Sequence, residues 1–200
     1  MKVTAVFDIG RTNKKYILFD ENYQIVEEFS ENLPETVDED GFPTEDIVLL
    51  TDWILSRWEE LKNNPNYDIK AVNAAAYGAS WVHLGEDNKP VAPLYSYLKP
   101  FPEHLLEQFY TAYGDPKRFA LQTGSPSMGM LNSGMQLYWL KYAKPDVYSK
   151  ITSSIHLPQY VLFLLTGRKV SDYTSIGCHT ALWNFEMWDY HDWVKKEEIY

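Results

Sequence analysis

With 200 residues, the chain has room for one domain with a sizeable core. Its 45% hydrophobic and 23% charged residues are a globular composition, which excludes a wholly disordered, collagen-like or coiled-coil chain. The formal charge of −10 is concentrated in residues 1–70, which hold 16 acids against 7 bases, so no broad basic surface is on offer to nucleic acid or an anionic membrane. A phosphorylated ligand stays admissible, because backbone N–H groups and a metal ion can hold phosphates locally.

The one cysteine, Cys178, cannot form an internal disulfide and suits a reducing compartment. The first residues run straight into a strand pattern rather than an apolar signal core. The longest later apolar run, Tyr160 to Leu165, is too short to span a bilayer. The expected location is the cytoplasm.

Val3–Ile9 reads as a buried strand, Gly10–Lys14 as a polar turn, Tyr16–Phe19 as a second strand and Ile25–Phe29 as a third. Asp20-Glu21-Asn22 is turn chemistry, and the short spacings predict antiparallel hairpins, since a parallel crossover needs a dozen or more residues. Leu33–Pro43 reads as an acidic loop. Thr44 or a neighbour caps a helix on which Ile47, Leu50, Ile54, Trp58 and Leu61 recur at helical spacing, and Asn63-Asn64-Pro65 stops it. Ile69–Tyr77 returns as a strand. The β-β-β-α-β order predicts an α/β domain in which the first three strands share one mixed sheet and the Ile47–Leu61 helix covers one face. It is not the βαβ opening of a dinucleotide fold.

Residues 85–102, with four prolines and Gly85, read as loop or short edge strand. His104–Tyr113 is a short helix closed by Gly114 and Pro116. Asn132 or Ser133 caps the next helix, through Tyr142, and Pro158 opens one that ends at Gly167. Tyr190–Tyr200 reads as a helix start with no stop signal.

The chemistry-bearing segment is Asp8-Ile9-Gly10-Arg11-Thr12-Asn13-Lys14-Lys15. A carboxylate ends a strand, and a Gly-containing turn follows. Such a turn can aim successive N–H groups at phosphate oxygens while Asp8 holds Mg²⁺ directly or through water, with Thr12 and Asn13 adding side-chain hydrogen bonds. An Asp-x-Gly hairpin is common, so a plain strand-end acid is the competing reading. There is no Walker-type glycine loop. Lys15 reads as a strand-edge lysine, and the five histidines lack metal-ligand spacing.

Taken in order, the motifs resemble the amino-terminal domain of the FGGY carbohydrate kinases, which have the actin-like ATPase (ribonuclease H-like) fold. Asp8–Lys15 followed by Leu18-Phe19-Asp20 is similar to that family's opening, where Thr usually stands at the Arg11 position. Tyr77-Gly78-Ala79-Ser80, with Leu84-Gly85 through Val91-Ala92-Pro93 after it, resembles the sugar-side strand and the "pl.p" stretch. Leu137-Tyr138-Trp139-Leu140-Lys141 with Pro145 resembles "K-L-x-W-L…P". Leu157-Pro158-Gln159-Tyr160 with Leu165-Thr166-Gly167 resembles "D-Y-L…L-T-G". Ser171-Asp172-Tyr173-Thr174-Ser175 with Thr180-Ala181-Leu182 resembles "D-x-S-x-A-S-x-T-x-L".

The resemblance implies an incomplete actin-like domain over residues 1–200, with ATP and Mg²⁺ as cofactors and a free sugar, ketose or polyol as acceptor. It implies nucleotide contacts from Asp8, Gly10, Arg11, Thr12 and Asn13, with Asp8 at the metal, and sugar contacts from Tyr77, Ser80, His83, Tyr97 and Asp172. It places the catalytic aspartate and a second domain beyond Tyr200, and a homodimer of the full-length protein stays open.

The chain also departs from the family. The usual carboxylate and arginine after "pl.p" are missing from Tyr95-Ser96-Tyr97-Leu98-Lys99, as is the Gln-His pair on the sugar-side strand. Tyr77–Ser80 is nearer the rhamnulose-kinase branch, "W-G-x-D", with Ser80 in place of Asp. Arg11 either meets a phosphate or folds away to an acidic neighbour. Three functions stay open: a carbohydrate kinase, a non-catalytic sugar-binding or regulatory relic, and another actin-like phosphotransferase.

Overall fold

A computed structural model describes residues 1–199 of the chain. In chain order these form strands β1 (Lys2–Ile9), β2 (Lys14–Phe19), β3 (Ile25–Glu31), β4 (Glu35–Val37) and β5 (Pro43–Glu45), helix α1 (Ile47–Asn63), and strands β6 (Asp68–Ala76) and β7 (Trp81–Leu84). Helices α2 (Glu103–Tyr113), α3 (Pro116–Thr123), α4 (Ser133–Ala143) and α5 (Pro145–Tyr148) follow. The chain closes with β8 (Ser153–His156), α6 (Leu157–Thr166), α7 (Tyr173–Ile176), β9 (Trp183–Asn184), β10 (Asp189–Tyr190) and α8 (Asp192–Lys196). It divides into two compact units: Met1–Gly78 with Ile155–Val170, and Ala79–Ser154 with the residues from Ser171 onward.

The first unit is built on a four-stranded sheet of order β3-β2-β1-β6, in which the first three strands are contiguous, as their spacing predicts. β1 pairs antiparallel with β2 and parallel with β6, and β2 pairs antiparallel with β3. Alternation along β1 buries Val3, Ala5, Phe7 and Ile9 on one face. α1 covers that face with Leu50, Trp53, Ile54 and Leu61, and the Phe7 ring meets Trp53 and Trp58 edge-on, each 6.3 Å away. Trp58 is only half-buried; Trp53 takes the inner place. Asp46 caps α1 by accepting from Val48 N–H (2.9 Å) and Leu49 N–H (3.0 Å). α6 belongs to the same unit, and Tyr160 shares a 2.7 Å hydrogen bond with Thr51 of α1.

The segment expected as an acidic loop contains the β4–β5 hairpin. Its turn is organised by the buried Asp38, whose carboxylate accepts from Asp40 N–H and Phe42 N–H, both at 2.9 Å.

The second unit is mostly helical around one aromatic core. Phe109, fully buried, meets Phe119, Tyr138 and Trp193 edge-to-face at 5.1–5.3 Å between centroids. α3 was not expected from the sequence. Asp115 caps it and Pro116 fills its first position, so the Gly114–Pro116 stop of one helix is also the start of the next. α4 approaches the chain closely at Gly134, whose N–H donates to Thr180 C=O at 2.8 Å. A Cβ there would lie 2.5 Å from that oxygen. α8 ends at Lys196, with Glu197 as its C-cap, so it does not run on to the chain end as its sequence suggests. The Tyr200 part of that expectation lies outside the described residues.

Glu197 is 6% exposed and collects donors from three places. Lys141 Nζ donates to its Oε2 and to its carbonyl oxygen, both at 2.7 Å, and Tyr113 and Tyr142 hydroxyls also donate to the carboxylate. Burial opposes the charge, yet these hydrogen bonds and the Lys141 cation hold the carboxyl below its ordinary range. Burial and the bond to Glu197 push Tyr113 up and Tyr142 up to about 12.

Candidate functional site

The β1–β2 hairpin brings Asp8, Gly10, Arg11, Thr12 and Asn13 into one short turn. Gly10 N–H donates to Asn13 C=O at 2.9 Å and closes it. A Cβ on residue 10 would also lie 2.9 Å from that oxygen, so the turn demands glycine. Thr12 and Asn13 are exposed. Arg11 is folded toward an acidic neighbour, with its guanidinium 3.5 Å from Glu35.

Asp8 lies on the sheet face opposite Phe7 and Ile9, with its side chain 40% exposed. Lys15 is its cross-strand partner, 3.7 Å away, and also lies 3.9 Å from Glu28. Among the described residues no group of three or more His, Cys, Asp or Glu could hold a metal ion. One accessible carboxylate beside an exposed polar turn nonetheless fits Mg²⁺ carried by a nucleotide. That ion keeps waters and takes one or two protein carboxylates together with phosphate oxygens.

Sequence reasoning missed what lies beneath the turn. Lys14 is 1% exposed, and its Nζ donates to Arg11 C=O at 2.9 Å and pairs with Glu45. Tyr77 OH donates to the other Glu45 oxygen at 2.6 Å. The signal was in the alternation: Lys14 shares its face with the inward-pointing Tyr16 and Leu18.

Tyr77–Ser80 is not strand, contrary to the expected Ile69–Tyr77 strand and to the resemblance of residues 77–80 to a sugar-side strand. β6 ends at Ala76, and these residues form the connection to β7. Tyr77 N–H still donates to Ile9 C=O at 3.1 Å. Ala79 takes a left-handed φ of 57°, and its carbonyl accepts from the buried Gln136 amide at 2.7 Å. Ser80 is buried just before β7. His83 is buried on β7, with its Nδ1 in a 2.8 Å hydrogen bond with Ser154 Oγ. Tyr97 is half-buried. Beside it Lys99 Nζ lies over the rings of Tyr95 (5.5 Å) and Trp139 (5.2 Å), a cation that sequence reasoning did not single out.

Asp172 has a structural task. It caps α7, accepting from Thr174 N–H (2.8 Å) and Ser175 N–H (3.1 Å). A cavity of about 560 Å³ in the second unit is lined by residues that include Trp81, Leu137, Ser154 and Tyr190; Ser80, His83, Tyr97 and Asp172 do not line it. Among the described residues, no helix is long and apolar enough to cross a membrane.

Residues 3–196 match the family model for the FGGY family of carbohydrate kinases, N-terminal domain. The chain belongs to this family. A rhamnulokinase of Halalkalibacterium halodurans is 30% identical over 117 residues, covering 56% of this chain and 25% of that protein. An L-fuculokinase of Haemophilus influenzae is 23% identical over 185 residues, covering 88% and 39%. In three dimensions the chain is similar to a carbohydrate kinase from Novosphingobium aromaticivorans, with a TM-score of 0.81, 28% identity, and coverage of 97% of this chain and 40% of that one. Its fold also matches a ligand-bound xylulose kinase from Lactobacillus acidophilus, with a TM-score of 0.83, 24% identity, and coverage of 99% and 40%. The matched parts of this chain thus cover between 25% and 40% of the length of these proteins, and the chain spans well under half of the two solved structures. The mixed sheet with flanking helices is consistent with the actin-like ATPase fold expected from the motif order.

Proposed function

We propose that this domain supplies the phosphate-binding turn of an ATP-dependent sugar kinase. One observation carries the reading: in a domain of this family, a strand-end carboxylate stands beside a turn that only glycine can close and whose next residues are exposed. Gly10, Arg11, Thr12 and Asn13 would face the nucleotide phosphates through backbone N–H groups and the Thr12 and Asn13 side chains. Asp8 would hold Mg²⁺, and Lys15 would keep its carboxylate oriented. When bound, the ion would neutralise charge on the phosphates during transfer.

In the reaction a sugar hydroxyl oxygen forms a bond to the γ-phosphorus, the bond to the β-phosphate oxygen breaks, and the hydroxyl proton passes to a base. That base is assigned to a part of the protein outside residues 1–200. Ser80, His83 and Tyr97 are the proposed sugar-side residues. Tyr77 and Asp172 enter through the bonds they make, the first to Glu45 and the second to the α7 backbone.

The test is a coupled ADP-release assay on the full-length protein against ketoses, aldoses and polyols. Asp8→Asn should lower kcat by roughly a hundredfold with little change in the sugar KM, because the lost interaction acts on transition-state charge. Wild-type kcat in that variant would exclude the assignment. Failure of every sugar to react would favour the relic reading.

A further inference from the structure

Lys14 is not explained by a phosphate site made of exposed groups. An ammonium this deep is tolerated only when its charge and donors are met. Here they meet the Glu45 carboxylate and Arg11 C=O. Glu45 comes from β5 and holds Tyr77, and Tyr77 N–H is bonded to Ile9 C=O, the residue before Gly10. The network therefore grips the turn on both sides: at Ile9 through Tyr77, and at Arg11 through Lys14. Above it, the Gly10–Asn13 hydrogen bond closes the turn, and the Arg11 guanidinium reaches Glu35 at 3.5 Å.

We infer that Lys14, Glu45 and Tyr77 are positioning residues that set the shape of the Gly10–Asn13 turn before a phosphate arrives. The inference rests on the phosphate-binding reading of that turn. A turn ordered in advance avoids the entropy of ordering on binding and keeps its N–H groups convergent. None of the three residues needs to touch the nucleotide.

The experiment is ¹⁵N relaxation of the turn amides in the full-length protein, with and without Mg²⁺–ATP. Lys14→Met alone would strand the Glu45 carboxylate and risks unfolding the hairpin. The decisive variant is the double change Lys14→Met with Glu45→Gln, which removes both charges at nearly constant volume; Tyr77→Phe is the milder companion. The double variant should keep wild-type amide positions elsewhere in the first unit. Its order parameters at Arg11–Asn13 should fall from about 0.85 to below about 0.6, and its Mg²⁺–ATP dissociation constant should rise at least tenfold. A turn as ordered as wild type in the double variant overturns the inference whether or not nucleotide binds. A loosened turn with unchanged affinity overturns it too. Wild-type turn amides that ignore Mg²⁺–ATP would instead refute the phosphate reading itself, and the inference would fall with it.

Discussion

Replacing Glu197 by alanine should destabilise the second unit by about 3 kcal/mol. The carboxylate is buried and receives Lys141 and two tyrosine hydroxyls. A hydrogen bond to a charged group contributes about 1.5–3 kcal/mol, and breaking a buried pair costs about 3–5 kcal/mol. The estimate sits at the low end because Lys141 is 30% exposed, keeps its bond to the Glu197 carbonyl and can reach water. At about 2–4 °C per kcal/mol for a chain of this size, Tm should fall by roughly 6–12 °C in calorimetry at neutral pH.

The pH dependence is the sharper reading. Glu197 has a lowered folded-state value, so its contribution is present above the ordinary carboxylate range and is lost as pH falls through that lowered value. Tyr113 and Tyr142 have raised values, so their contribution is present below 10.0 and is lost as pH rises through the folded-state values. The Tm difference between wild type and Glu197→Ala should therefore be widest at neutral pH and narrow at both extremes. A difference that stays flat from pH 3 to 11 would refute the electrostatic account and leave only lost packing.

Gly10→Ala should move the amide resonances of residues 10–13 and cost about 1–3 kcal/mol, since its Cβ collides with backbone rather than a side chain; an unshifted spectrum would show that the turn tolerates a methyl group. Phe109→Ala removes the ring that Phe119, Tyr138 and Trp193 surround and should cost about 3–5 kcal/mol in denaturant unfolding, whereas Phe109→Leu should cost less. Asp46→Ala should cost about 1 kcal/mol by the same assay, with Asp46→Asn near wild type, because the capping oxygen survives.

The first unit was legible because its signals are local. Alternation runs unbroken through β1, Asp20 accepts from Asn22 N–H at the turn, and Asn64 and Pro65 end α1 where the apolar stripe stops. The β4–β5 hairpin was hidden: its strands are short and largely exposed, and its turn depends on Asp38 being buried and on Gly41 at a positive φ. α3 was hidden by proximity, since one Gly–Asp–Pro run serves two helices. In the candidate site, the Asp8–Asn13 turn could be read because turn chemistry lies in consecutive residues. The Lys14 network could not, because an inward lysine acquires its meaning from Glu45 and Tyr77, which are distant in sequence. Asp172 was legible as part of a motif, but its capping of α7 was not, because that task depends on where a four-residue helix starts.

The discontinuity of the first unit has a consequence for biosynthesis. Its sheet strands and α1 leave the ribosome early, but α6, which bonds to α1 through Tyr160, emerges only after the whole Ala79–Ser154 segment. At ordinary elongation rates that wait is on the order of ten seconds, far longer than a hairpin needs to form. During that interval the nascent sheet lacks one of its packing partners. A stalled or truncated chain released in that window would be a natural client for holdase chaperones, and slowing translation across residues 79–154 should raise the fraction of chain that aggregates.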